Sequence, residues 1–346
     1  MIFLLRQQCQ LRQANANYVN YANANYANAS TTPTPTTPKP TILDNSCWDE
    51  HFTVLYNSTN GNNKINVIPS SVKEAPIDFV ATVPKSFFIE ESSFCRNRPN
   101  LKVLAYVHSA IKNTEERSIT RSTWANASSE VGTLFFVGKS KDEKEMKIVE
   151  RESKIYGDIV QGNYTDMYEL LVYKALNALY WITKNCASIP WVVHADDDIL
   201  LDVIYLLKVL DAFEQDGRTN EIFCHTFVRA TARRYDKWKV NTKEYPCKFY
   251  PPYCSGPCWF TTSTVIKKLL HGVSMTKYLW VDDTYLTGLV AEVTKVKRSK
   301  VPMVNHYVKD YHLGNVIAWL NVKEDRTKAW QNILGYNNLN INNEIN

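Results

Sequence analysis

Hydrophobic and polar positions divide the chain into three regimes. Residues 11–40 have no amphipathic period: an Asn/Ala/Tyr run (QANANYVNYANANYANAS) passes into a Thr/Pro run (TTPTPTTPKP). Such composition cannot bury a core and predicts an extended stalk. From residue 101 onward, short apolar runs alternate with amphipathic segments. Residues 101–107 (LKVLAYV) and 133–137 (TLFFV) predict buried strands, while 115–124 and 141–156 predict helices. Residues 166–183 predict a long helix, with Leu170, Leu171, Ala175, Ala178, Leu179 and Ile182 close to the 3.6 period. The run WVVHA predicts a strand ending in Asp196, Asp197 and Asp198, and residues 199–213 a helix after it. Residues 337–346 are Asn-rich and predict a disordered tail.

This alternation predicts an α/β fold with a mostly parallel central sheet and helices on both faces. In such sheets ligands bind beyond the carboxyl ends of strands, which is where the aspartates fall. Mg²⁺ and Mn²⁺ take a few carboxylates and share the rest of their shell with phosphate oxygens and water. The competing reading is a solvated turn in which an Asp caps the next helix.

The composition is that of an ordinary globular protein: 346 residues, 45% hydrophobic and 22% charged. A net charge of +5 is too small for a nucleic-acid signature. The basic stretch 229–243 (RATARRYDKWKVNTK) reads as a solvated loop, with steering of an anionic substrate as the second reading. Eight cysteines and four N-x-S/T sequons, at Asn28, Asn57, Asn126 and Asn163, lean toward an oxidising secretory compartment. Cys247, Cys254 and Cys258 crowd together, but their spacing is not that of a zinc knuckle, and the pairing is left open. The apolar start MIFLL is too short for a signal sequence or a span. No anchor is therefore read, and a displaced start would reconcile this with the compartment.

Further blocks converge on the aspartates. Arg117 and Arg121 lie four apart on one helix face, near the carboxyl end of the first strand. Guanidinium groups there match diphosphate oxygens, or pair with neighbouring Glu. Tyr156-Gly157-Asp158-Ile159 follows, then Asp166, Tyr168 and Lys174. Tyr250-Pro251-Pro252-Tyr253-Cys254-Ser255-Gly256 is a rigid turn with aromatic faces suited to a sugar, or a buried loop. Asp282-Asp283 opens a helix.

In this order the blocks resemble glycosyltransferase family 31, the β-1,3-galactosyltransferase-like hexosyltransferases, over residues 103–306. The chain departs from the family pattern at Leu170-Leu171-Val172, at Cys258, at Thr284 and at His194-Ala195, where the family commonly has a Lys. The resemblance implies a GT-A type, Rossmann-like nucleotide-sugar transferase fold. It divides the chain into a stem (1–46), an N-terminal extension (47–100), a catalytic domain (101–325) and an Asn-rich tail (326–346). It further implies an inverting, metal-dependent transfer of a hexose, galactose favoured, from a UDP-sugar to a glycan hydroxyl in β-1,3 linkage. Asp198, Asp196 and His306 would hold Mn²⁺ (or Mg²⁺), with His312 as the fallback histidine. Arg117, Arg121, Asp196, Lys174 and Tyr168 would bind the donor. Asp283 would be the base, and Asp282 would orient it or the acceptor. The acceptor would be a glycan on a glycoprotein or glycolipid, with no nucleic-acid partner, and the place of work the Golgi lumen at the membrane. Two alternatives are a β-1,3-N-acetylhexosaminyltransferase and a catalytically dead carbohydrate-binding or chaperone relative.

Overall fold

The computed structural model describes residues 80–301, 304–305, 316–320 and 325–345. The chain separates into two units, Met1–Asp44 and Asn45–Asn346, and all described residues fall in the second. The predicted strand–helix alternation is present. β1 (Phe87–Ile89) is followed by β2 (Val103–His108), α1 (Thr114–Ser122), β3 (Val131–Lys139), α2 (Glu143–Tyr156), β4 (Ile159–Thr165) and α3 (Leu171–Asn185). Next come β5 (Trp191–Asp196), β6 (Leu200–Leu201), α4 (Val203–Gln215), β7 (Glu221–Phe227), β8 (Tyr253–Thr262) and α5 (Ser263–Gly272). The chain then forms a π-helix (Thr284–Val290), β9 (Lys297–Lys300), β10 (Val304–Asn305), β11 (Ala318–Trp319) and α6 (Arg326–Ile345).

Eight strands make one sheet, in the order β1-β4-β3-β2-β5-β8-β7-β9. The pairs β4–β3, β3–β2, β2–β5 and β7–β9 are parallel, whereas β1–β4, β5–β8 and β7–β8 are antiparallel. The sheet is thus mixed, with four of its seven pairs parallel. Two strands run against the common direction: β1 at the edge beside β4, and β8 between β5 and β7. The architecture is an α/β fold with a large mixed sheet and flanking helices, consistent with a Rossmann-like, GT-A type. β2 is buried along its whole length, as a central strand covered on both faces must be.

Local chemistry explains the element ends. Asp142 caps α2 by accepting from the Lys144 amide at 2.8 Å. Gly157 closes the same helix in the left-handed region at φ +61°, which glycine adopts without a Cβ penalty. Asp202 caps α4 by accepting from the Tyr205 amide at 2.9 Å. The capping role considered for the triplet therefore falls to Asp202.

Residues 326–346, expected as an Asn-rich tail, are helical over Arg326–Ile345. Ala329, Trp330, Ile333 and Asn337 recur at helical spacing and are buried, so tertiary packing overrides a weak local propensity. Asn337 donates to both carboxylate oxygens of Asp202 at 3.3 Å.

Candidate active site

The aspartate triplet terminates β5, beside the end of β2, with His108 opposite Asp196. β5 ends at Asp196 and the chain turns at Asp197 and Asp198, so the three carboxylates meet different surroundings. Asp197 turns inward, accepting from Ser109 Oγ at 2.6 Å and Asn113 Nδ2 at 3.1 Å. Asp196 and Asp198 turn outward, the first half-buried and the second exposed. Burial, the charges of Asp198, Asp282 and Asp197, in that order, hold the Asp196 carboxyl well above the ordinary range, against Lys174. Burial and Asp197 push Asp198 up as well.

Asp282 and Asp283 open the helical turn that leads into Thr284–Val290. A π-helical stretch often marks a functional site, since one extra residue re-aims its neighbours. Asp283 Oδ1 accepts from the Thr284 amide at 2.6 Å. Thr287 Oγ1 donates to the Asp283 carbonyl at 2.7 Å and accepts from the Cys254 amide at 2.9 Å, stitching this turn to β8. A Cβ on Gly256 would sit 3.4 Å from Asp283 Oδ2, so β8 passes directly beside the carboxylate. Burial raises the Asp282 carboxyl to about 6. Burial and the charge of Asp282 raise Asp283 to about 7, against hydrogen bonds from Thr284 and Gly256. Tyr168, whose ring is about half exposed, feels the charges of Asp282, Asp283 and Asp196 together. β8 pairs with β5 and passes beside Asp283, so the Asp282–Asp283 segment lies near the carboxylates that end β5.

A family model described as Galactosyltransferase matches residues 115–302, just over half of the chain. The chain belongs to the galactosyltransferase family. Its type is that of glycosyltransferase family 31, the β-1,3-galactosyltransferase-like enzymes. It is 26% identical to the β-1,3-galactosyltransferase bre-2 of Caenorhabditis elegans over 260 residues, covering 70% of this chain and 71% of the relative. It is 28% identical to human β-1,3-galactosyltransferase 5, covering 59% of this chain and 66% of the relative. It is 27% identical to mouse β-1,3-galactosyltransferase 1, covering 66% and 71%.

Within this galactosyltransferase-family chain, two motif blocks turn out to be partners of each other. Arg117 is fully buried and binds Glu152 through Nε and Nη2 at 2.8 and 2.6 Å. Arg121 binds Glu152 at 2.7 Å and grips Asp158 with two bonds of 2.7 and 2.8 Å. The arginines were expected to meet a diphosphate. Instead, both guanidinium groups are consumed by Glu152 and by the Asp158 of the Tyr-Gly-Asp-Ile block. Arg117 also donates to Ser109 Oγ, the hydroxyl that holds Asp197, so it supports the triplet from behind.

Lys174 was likewise expected at the donor. It is buried, with Nζ 2.7 Å from Asp166 Oδ1. Asp166 in turn accepts from the Ile111 and Gly138 amides at 2.8 and 3.0 Å. The charge of Lys174 also favours the ionised forms of Asp196 and Asp282. Of the donor-binding set, Asp196 and Tyr168 are accessible to solvent, whereas Arg117, Arg121 and Lys174 are buried. His306 and His312 lie outside the described residues.

Sequence reasoning missed the histidines behind the triplet. His108 and His194 are buried, and one potential ligand atom from each of His108, His194 and Asp196 lies within 4.8 Å of the others. This cluster can coordinate a divalent ion. Burial depresses His194 to about 3 and pushes His108 well down, so both rings are neutral. Neither histidine sits in a recognisable metal spacing, and only the strand register brings them together.

The basic stretch forms the rim beside Tyr168. Trp238 Nε1 donates to Tyr168 Oη at 2.8 Å, and Lys237 Nζ lies 5.2 Å from the Tyr168 ring centre. Disulfides join Cys95 to Cys186 and Cys224 to Cys254, and Cys258 is a free buried thiol. The sequons at Asn126 and Asn163 are exposed. No described helix is long and apolar enough to cross a membrane.

Proposed function

We propose that the chain is an inverting, metal-dependent hexosyltransferase that moves galactose from a UDP-sugar to a glycan hydroxyl in β-1,3 linkage. One observation supports the reading: β8, paired with β5, passes beside Asp283, so an aspartate pair of raised proton affinity lies near the carboxylates that end β5. Two hard oxygen donors on alternating residues suit Mn²⁺ or Mg²⁺. Their mutual repulsion, opposed at Asp196 only by Lys174, fits a site that gains a cation. Asp196 and Asp198 would hold it. When bound there, the ion supplies positive charge that offsets the negative charge building on the departing diphosphate.

The remaining steps belong to the chain's own groups. Asp283 accepts the proton of the acceptor hydroxyl as the new bond forms, because a base with an affinity near the working pH is deprotonated yet still proton-hungry. Asp282 keeps that affinity high by like-charge repulsion and orients the acceptor. Gly256 and Thr284 hold the Asp283 carboxylate with their N–H groups, leaving it one face for the hydroxyl. Tyr168 and Trp238 wall the entrance and present an aromatic surface to a sugar. Attack opposite the leaving group then inverts the anomeric centre in one displacement. The Golgi lumen is the proposed place of work, which suits the disulfides and the exposed sequons.

The test is a panel of UDP-sugars with Mn²⁺ and simple glycoside acceptors, with product linkage read by NMR. Transfer of galactose with inversion supports the reading. N-acetylhexosamine transfer would replace the donor assignment, and binding without turnover by the wild type would leave only a carbohydrate-binding relative.

A further inference from the structure

β2 and β5 run in parallel, with Tyr106 opposite His194 and His108 opposite Asp196. Opposed and alternate residues share a face, so His108, His194 and Asp196 emerge on the same side of the sheet. His194 Nε2 stands 3.8 Å from Asp196 Oδ1, and the two imidazole rings meet edge to face at 4.4 Å. Tyr106 and Trp259 wall the His194 ring at 4.9 and 5.4 Å. The histidines are 5% and 3% exposed, yet His108 Nε2 and His194 Nδ1 have no hydrogen-bond partner. Each such nitrogen costs about 1–3 kcal/mol if left unsatisfied. Two buried rings with unpartnered nitrogens, clustered with the Asp196 carboxylate, suit an occupant that accepts lone pairs.

We propose that His108, His194 and Asp196 form a binding site for a borderline divalent cation of the Zn²⁺ or Co²⁺ class. Two imidazoles and one carboxylate are a ligand set that such ions favour, leaving a fourth position open. Ligands at about 2.0–2.1 Å from Zn²⁺ sit about 3.4 Å apart. Side-chain movements of about an ångström therefore close a set now within 4.8 Å. The hydrogen bond between His194 and the Gly256 backbone is the kind of outer contact that fixes a ligand ring. This site differs in chemistry from the all-oxygen pair of Asp196 and Asp198, but shares Asp196 with it. An ion held by the histidines therefore competes with the donor's cation for that carboxylate. The competition rests on the transferase reading, whereas the binding itself does not.

The test titrates the metal-free full chain with Co²⁺ and reads the visible band of a low-coordinate, nitrogen-ligated centre. The expected uptake is about one equivalent in that band. His108→Gln and His194→Gln should each weaken Co²⁺ binding at least about tenfold, since loss even of an outer-shell partner costs that much. Asp198→Ala should retain the band. X-ray absorption on the Zn²⁺-loaded wild type should show two imidazoles, a readout that needs no variant to fold. No uptake, an oxygen-only centre, or an unchanged band in both Gln variants overturns the site. Mn²⁺-dependent UDP binding by the wild type is measured in parallel: its absence sinks the transferase reading and leaves the cation site standing.

Discussion

Arg117 and Glu152 form a two-pronged ion pair, sealed from solvent, between α1 and α2. Burial alone would raise the Glu152 carboxyl, but its bonds to Arg117 and Arg121 win and hold it below the usual range. Removing one partner leaves a buried charge uncompensated, a change that typically costs about 3–5 kcal/mol. Glu152→Gln should therefore lower the thermal midpoint by many degrees. A shift of only a degree or two would mean that the pair contributes no more than a surface bridge.

Asp283→Asn preserves shape and removes the proton acceptor. Turnover should fall by about 10²–10⁴-fold, the usual contribution of a general base. UDP affinity in Mn²⁺, measured by calorimetry, should stay close to wild type. Near-normal turnover would move the base elsewhere.

The pH dependence has a definite sign. Asp283 must be unprotonated to accept the acceptor's proton, and burial with Asp282 raises its affinity toward about 7. The value of kcat/KM should therefore fall on the acid side of neutrality. A cation bound nearby favours the carboxylate, so the acid limb should move to lower pH as Mn²⁺ rises. The two aspartates repel, so the limb reports the pair and not one residue. A flat profile between pH 5 and 8 would remove both from the chemistry.

The same carboxylates link stability to pH. Each binds its proton more tightly in the folded chain than in the unfolded one. Their contribution is therefore present below the ordinary carboxylate range and is lost as pH rises through the folded values, about 6 for Asp282 and about 7 for Asp283. In metal-free buffer, the fall in melting temperature across that window should be smaller in Asp283→Asn than in the wild type. Mn²⁺ at about 100 times its pH 8 Kd should add about 2.7 kcal/mol there, and the same concentration should add less at pH 6, where protons compete for the raised carboxyls of Asp196 and Asp198. Equal gains at both values would argue against metal binding by Asp196 and Asp198.

The Cys95–Cys186 bridge closes a loop of 91 residues and ties the segment after β1 to the end of α3. Replacing both cysteines with serine should cost about 2–5 kcal/mol, read by denaturant unfolding. An unchanged midpoint would show that packing alone fixes that corner.

The sequence by itself determined the alternation of strands and helices, the family, and the positions of the carboxylate blocks. These are local properties, since period, capping residues and motif spacing are written along the chain. The end of the strand WVVHA at the aspartates is likewise readable from its apolar run. Tertiary structure decided which charges remain free. Arg117, Arg121 and Lys174 look like donor ligands in sequence, yet Glu152, Asp158 and Asp166 consume them. Partner choice depends on which faces are pressed together, and no spacing rule encodes that. Only the fold showed that β8 runs antiparallel beside β5, bringing Gly256 to Asp283. Register alone set His108 beside His194 and Asp196, because residues far apart in sequence become neighbours only through cross-strand pairing. The Asn-rich end became a helix for the same reason: Trp330 and Ile333 found a core to enter, and burial outweighed a composition that favours disorder.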